Sequence, residues 1–188
     1  MPPGNCVKSL TLHTLIPLRR RSNGPLVLNP IHRNLIDSLT ELLKGRICVV
    51  GVGNRQRGDD GAGPRVIDAR DPGADGFWLD AGMAPENYLE PIAQWKPDTI
   101  LIVDAVVFGG GFGECRLFDR STIESASVST HATSLGTLCD YLINRTGARI
   151  QLLAIEPKSI GPVNRLSRPV ECAVNALAHT LSSLIIRS

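Results

Sequence analysis

The chain has 188 residues, 43% of them hydrophobic and 20% charged, which bounds it to one ordinary globular domain with a core deep enough for three layers, plus a tail. Its net charge of +2 is unevenly spread: residues 1–45 hold six basic and two acidic groups, and residues 46–188 hold fourteen basic and sixteen acidic ones. The near-neutral body and the 4% aromatic content argue against a nucleic-acid surface, and no apolar run approaches the roughly 18–20 residues of a membrane span.

Residues 1–30 contain prolines, the run Arg19-Arg20-Arg21 and no acidic residue. They are expected to lie outside the fold, as a disordered extension or an over-extended translation start. A secretory signal is disfavoured, because the arginines follow the apolar patch instead of preceding it; a basic, acid-free transit peptide is the other reading. Residues 31–188 are then one domain. From Asn34 the sequence NLIDSLTELLKG reads as a helix, with Leu35, Leu39, Leu42 and Leu43 on one face and Gly45 as the stop.

The stretch Arg46 to Arg70, RICVVGVGNRQRGDDGAGPRVIDAR, organises the rest. Ile47 to Val50 suit a strand buried on both faces. The glycine-rich turn Gly51-Val52-Gly53-Asn54 follows, then the adjacent carboxylates Asp59 and Asp60, then a helix from Pro64 to Arg70. A strand that ends in glycines and opens a helix ordinarily holds a phosphate. Here the dinucleotide fingerprint fails, because Gly51 and Gly53 fit but its third position is Gln56, and no Gly-Lys-Ser/Thr follows. Two aspartates at the positive end of a helix favour a cation, or a capping role for Asp60, and repel phosphate.

Gly76 to Asp80 reads as a short strand ending in a carboxylate, and Tyr88 to Trp95 as a helix with Leu89, Ile92 and Ala93 inward. Thr99 to Val107 is a second fully apolar strand interrupted only by Asp104, and Cys115 to Phe118 alternates as a strand nearer an edge. Ser129-Thr130 caps a helix with His131 in its first turn and Leu135, Leu138, Cys139, Leu142 and Ile143 as its stripe. Ile150 to Glu156 is the last strand. A loop from Pro157 to Arg168 leads to a final helix that Pro169 suits at its first turn. Strands alternating with helices predict an α/β fold: a three-layer α/β/α sandwich with a mainly parallel, twisted five-stranded sheet and helices on both faces. The five cysteines (Cys6, Cys48, Cys115, Cys139 and Cys172) form no CxxC and mostly sit in apolar patterns, so they read as small buried hydrophobes in a reducing compartment.

In such folds ligands bind beyond the carboxyl ends of the strands. Asp60, Asp80 and Asp104 follow or end the first three strands, so all three are expected to open onto the same edge. An acid inside an apolar strand is costly unless it is paired, protonated or bound to metal, which singles out Asp104; a structural hydrogen bond to a neighbouring loop is the alternative. His131 at a helix N-terminus is held neutral and able to donate a lone pair, or is an ordinary surface histidine. Two carboxylates and one imidazole, Asp60, Asp104 and His131, suit a first-row transition metal such as nickel, zinc or iron. Glu156 either joins them from behind or serves the turn at Pro157. The GxSxG, HExxH and paired-cysteine patterns are all missing.

The segments VGVGNRQRGDDGAGP, DAGMAPEN, LIVDAVVFGGGFGECRLF and STHATSLGTLCDYLI resemble, in order and spacing, the hydrogenase maturation endopeptidases, and GDDGAGP and APEN resemble the branch serving formate-hydrogenlyase and related hydrogenases. The resemblance runs from about Arg46 to the last helix. It implies an aspartyl-type, cytoplasmic and monomeric endopeptidase that removes the C-terminal extension of a NiFe-hydrogenase large-subunit precursor. It implies Asp60 (where many members have Glu), Asp104 and His131 as the ligands that sense nickel already installed in that precursor, so the metal belongs to the substrate. It further implies Asp60 or Asp80 as the base, and Gly53, Asn54 and Asp59 as substrate contacts. The chain departs from the family at Asp80-Ala81-Gly82, which replaces a DGG segment. Two rival functions are a nickel-binding docking protein without cleavage and a nucleotide-binding α/β domain.

Overall fold

The computed structural model describes residues 31–119 and 132–185. Its elements, in chain order, are α1 (Arg33–Leu42), β1 (Ile47–Val52), α2 (Ala62–Asp68), β2 (Phe77–Gly82), α3 (Leu89–Trp95), β3 (Thr99–Ala105), β4 (Cys115–Asp119), α4 (Ala132–Thr146), β5 (Arg149–Ile155) and α5 (Arg168–Leu184). Single 3-10 turns, Gly58–Gly61 and Pro85–Tyr88, precede α2 and α3. Residues 1–30, the capping pair Ser129-Thr130 and His131 lie outside the described residues.

The five strands form one sheet in the order β2-β1-β3-β5-β4. β2, β1, β3 and β5 are parallel, and β4 returns antiparallel along β5 at the edge. The predicted three-layer α/β fold is therefore the observed one. β1 and β3 are buried along their whole length. This is why they read as unbroken apolar runs: side chains that alternate across a covered sheet meet a helix layer on either face.

The two layers can be separated by the parity of the strand residues. Val49, Leu101, Val103 and Leu153 pack with α1, α2 and α5 through Leu39, Val66, Leu177 and Leu181. Cys48, Val50, Ile100, Ile102 and Leu152 pack with α3 and α4 through Ile92, Leu135, Leu138 and Leu142. Each such Leu or Ile contributes about 1.5–3 kcal/mol by leaving water. α3 and α4 are also linked on their outer surface, where Tyr141 and Arg145 reach Glu90.

Several boundaries differ from the sequence reading, each for a local reason. β2 runs on past Asp80 to Gly82, because pairing with β1 continues across an irregularity opposite Gly51 and Val52. α2 starts at Ala62, two residues before Pro64, since the 3-10 turn feeds straight into it. β3 stops at Ala105, and Glu156 sits just beyond β5.

Candidate functional site

The strand order reverses direction at β1: the chain moves outward to β2, then crosses back to β3 on the other side. In an open α/β sheet the crevice at such a switch point, beyond the carboxyl ends of the strands, is where a ligand finds room and backbone dipoles. The turn Gly53–Gly61 fills this crevice and packs against β3.

Glycines allow that turn to sit so close. Gly53 has φ of +133°, and a Cβ there would collide with the Asp60 carbonyl oxygen. Gly63, at the start of α2, lies directly over β1 and β3, where a Cβ would strike the carbonyl oxygens of Val52 and Val103. The helix thus touches the sheet backbone to backbone, and the turn ahead of it is fixed in height above the strands.

The two adjacent aspartates have different surroundings. Asp59 is fully buried; its Oδ2 accepts from Lys158 N and Ser159 N, both at 2.9 Å, and from Ser167 Oγ at 2.8 Å. Its Oδ1 accepts from Ser167 N at 2.6 Å. Expected as a substrate contact, Asp59 is instead occupied as the anchor of the loop after β5. Asp60 is also buried, but among the described residues its side chain accepts a single hydrogen bond, from Asn54 N to Oδ2 at 3.2 Å. The capping alternative for Asp60 is not what is observed: the N-cap of α2 is Gly61, and no side chain caps it.

Asp104 is fully buried, and its Oδ1 accepts from Ala105 N at 2.8 Å. It lies opposite Ala154 of β5 and has the parity of Ile100 and Ile102, on the face covered by α3 and α4. His131 directly precedes the described part of α4 but lies outside the described residues. Among the described residues, no three His, Cys, Asp or Glu side chains gather closely enough to hold a metal. The acidic side chains at the crevice are those of Asp60 and Asp104, whose oxygens fit a hard-to-borderline cation only with a further ligand.

Asp80 shares the edge but not the face. Its neighbours Leu79 and Ala81 pack on the α3 and α4 side, so Asp80 has the opposite parity and meets the α2 layer. There Arg55 donates to Asp80 Oδ2 through Nη2 at 2.7 Å and Nε at 3.2 Å, while Asp80 Oδ1 accepts from Gly82 N at 2.9 Å. β2 and β3 are two strand spacings apart, about 10 Å by ordinary sheet geometry. The structure therefore brings Asp80 to Arg55 and sets it apart from Asp104.

Arg55 escaped the sequence reading. Besides Asp80 it pairs with Asp68 of α2 and donates to the Pro64 carbonyl at 3.1 Å. The hydrogen bond to Asp68 is the largest influence and pushes its pKa above the already high guanidinium range; burial comes second and opposes it, and the bond and charge of Asp80 and the charge of Asp68 add to the rise. With Gly53, Asn54, Gln56, Asp80, Gly82 and Met83 it lines a shallow cleft of about 280 Å³ at the crevice. Gly53 and Asn54, both expected as substrate contacts, thus face the cleft. A larger groove of about 630 Å³ lies at the opposite end of the sheet, between Glu41, Asp119 and Arg149, away from the acids.

Glu156 serves a different segment from the turn at Pro157. Its Oε2 accepts from Phe108 N at 2.8 Å and Gly110 N at 3.1 Å, so it latches the glycine loop that follows β3. His179 on α5 pairs with Asp71, far from the crevice in the fold.

Comparison with known proteins sets this geometry among relatives. A family profile described as hydrogenase maturation protease, HycI, matches residues 75–184. The hydrogenase 3 maturation protease of Escherichia coli strain K12 is 36% identical over 133 residues, 69% of this chain and 85% of that protein. The crystal structure of the [NiFe] hydrogenase maturation protease HycI from Thermococcus kodakarensis KOD1 superposes with a TM-score of 0.71 at 32% identity, covering 79% of this chain and 98% of that one. The hydrogenase maturating endopeptidase HybD of E. coli superposes with a TM-score of 0.60 at 27% identity, covering 71% and 88%.

Proposed function

The chain belongs to the hydrogenase maturation protease family, and from that premise we propose that it is the endopeptidase which removes the C-terminal extension of a NiFe-hydrogenase large-subunit precursor once nickel has been inserted. The membership makes it a peptidase acting in hydrogenase maturation; the precursor, the position of the cut and the dependence on nickel are the proposal. The observation that carries it is the pair Asp60 and Asp104, two buried acids from different strands' ends, at the switch point of the sheet.

Of the two, Asp60 has a side-chain oxygen, Oδ1, to which no described hydrogen-bond donor is directed. Such an oxygen is free for a cation brought by the precursor, with Asp104 and His131 as the companion donors. Nickel in this reading arrives as part of the substrate, and the chain inspects it. Peptide hydrolysis then needs a water oxygen to add to the scissile carbonyl, a base to take the water's proton, and delivery of a proton to the departing amine. Asp80 has both oxygens engaged by Arg55 and Gly82. Asp60 is therefore the better supported of the two candidate bases. The cleft lined by Gly53, Asn54 and Gln56 receives the chain beside the cut.

Among the described residues no helix is long and apolar enough to cross a membrane. We place the reaction in the cytoplasm and the working unit as a monomer on a larger partner.

The test is a processing assay with the nickel-loaded large-subunit precursor of the hydrogenase encoded beside this chain, followed by intact mass. Loss of a C-terminal peptide only in the presence of nickel is the expected result. A stable complex with unchanged mass would point instead to a docking protein. Full processing by an Asp104→Asn variant would remove Asp104 from the site.

A further inference from the structure

The loops 54–61 and 157–167 are stitched into one unit. Gly58 N donates to Val163 O at 2.6 Å and Asp59 N to Ser159 O at 3.0 Å, while the buried Asp59 carboxylate gathers Lys158 N, Ser159 N and Ser167 from the other side. A carboxylate with four donors from a single loop is a rigid joint, because letting go of it strands several buried polar groups.

What this joint holds outward is cationic. Residues 157–168, PKSIGPVNRLSR, contain Lys158, Arg165 and Arg168 and no acid. Residues 53–58, GNRQRG, contain Arg55 and Arg57 and no acid, and the two aspartates that follow are buried. Arg55 is engaged by Asp68 and Asp80, but Arg57, Lys158 and Arg165 are exposed and form no ion pair with a described residue. Val163, 46% exposed, sits on the same loop pair.

Exposed cations of this kind add little to folding, since water and salt screen them. Their effect lies in encounter: a single-sign patch speeds the approach of an oppositely charged partner and fixes its orientation.

We propose that the paired loops are a docking surface for a carboxylate-bearing segment of the precursor protein, received by Arg57, Lys158 and Arg165 with an apolar side chain of that segment against Val163. The inference rests on the reading of the chain as a precursor-processing protease and adds the chemistry by which the precursor is recognised. The Asp59 joint gives the surface its fixed shape, and its position next to the Asp60 turn sets the bound segment beside the cleft.

The test separates binding from cutting. The association rate of the full-length chain with the nickel-loaded precursor is measured at low and at physiological salt, for the wild type and for the triple variant Arg57→Glu, Lys158→Glu, Arg165→Glu. A fall in association rate of about tenfold or more at low salt, a flattened salt dependence and an unchanged thermal midpoint support the surface. An association rate and salt dependence equal to the wild type's overturn it. A lowered thermal midpoint with an unchanged association rate also overturns it, because the cations would then only balance the buried aspartates beneath them. If the wild type binds the precursor without cleaving it, the protease reading fails, and the docking surface is still judged on the association rates. If the wild type does not bind at all, both fail.

Discussion

The 3-10 turn Gly58–Gly61 has two sides, and adjacent aspartates point into different worlds from it. On one side Asp59 is enclosed by the loop after β5 and saturated with donors; on the other Asp60, among the described residues, accepts one backbone hydrogen bond beside a cleft. Both are aspartates, both are buried, and they are neighbours in sequence. What separates them is the number of described donors the fold directs at each carboxylate: that number makes Asp59 a structural joint and leaves Asp60 open to the role proposed for it.

The comparison can be broken by exchanging the consequences. Asp60→Asn keeps the shape and the Asn54 contact, so the fold is expected to survive with its thermal midpoint nearly unchanged. Processing of the precursor is expected to fall by about 10²–10³-fold, the range for removing one preorganised polar group from a reacting centre. A variant that processes normally would move the chemistry elsewhere in the crevice. Asp59→Ala should do the reverse in kind. It leaves backbone N–H groups of Lys158, Ser159 and Ser167 without their acceptor, at about 1–3 kcal/mol for each one that water fails to reach. Denaturant titration should show a loss of about 3 kcal/mol or more; a loss below about 1 kcal/mol would mean that the loop is held by something other than this carboxylate.

Arg55→Met sharpens the picture on the Asp80 side. The guanidinium is about one-third exposed (34%), so solvent screening holds its stabilisation to about 1 kcal/mol despite its several partners. The expected signature is a small drop in thermal midpoint together with a raised KM for the precursor, because the cleft wall and the Asn54 segment lose their tie to β2 and α2. A Lys at this position should restore the midpoint only in part, lacking the planar fork.

The smallest effect concerns the core away from the site. Burial pushes the Cys48 and Cys115 thiols up from 9.0 to about 12, with the Glu114 charge adding to the latter. In the unfolded chain these thiols ionise near 9, whereas in the folded chain they stay protonated. The stability they contribute is complete below pH 9 and declines as pH rises from 9 toward 12. Alkylation at pH 8 should accordingly spare Cys48 and Cys115 in the native protein and reach them on unfolding.

Much of this was legible in the sequence. The apolar runs of β1 and β3 announced strands covered on both faces, and Asp104 stood out because nothing else polar interrupted its strand core beyond the opening Thr99. The glycines between β1 and α2 marked the place of closest backbone approach. Other features were beyond local reading because their partners are distant in sequence. Arg55 meets Asp68 and Asp80, and Asp59 meets residues 158–167, so neither pattern has a period or a motif. Asp80 was correctly put at the carboxyl edge, but its separation from Asp104 depends on which helices cover which face. That becomes visible only when strand parity is combined with packing.

The bare contact between α2 and the sheet has a further consequence. Because Gly63 places no side chain between the first turn of the helix and the backbone of β1 and β3, that end of α2 cannot shift toward the sheet without driving its backbone into theirs. Only Gly61 separates Asp60 from the first residue of this helix, which packs on strands buried along their whole length. The backbone that carries the Asp60 carboxylate therefore takes its position from the sheet and not from whatever arrives in the crevice. On the proposed reading that Asp60 receives a cation from the precursor, an ion of the wrong radius would meet a backbone that does not follow it, and little reorganisation entropy would be lost when the right one is met.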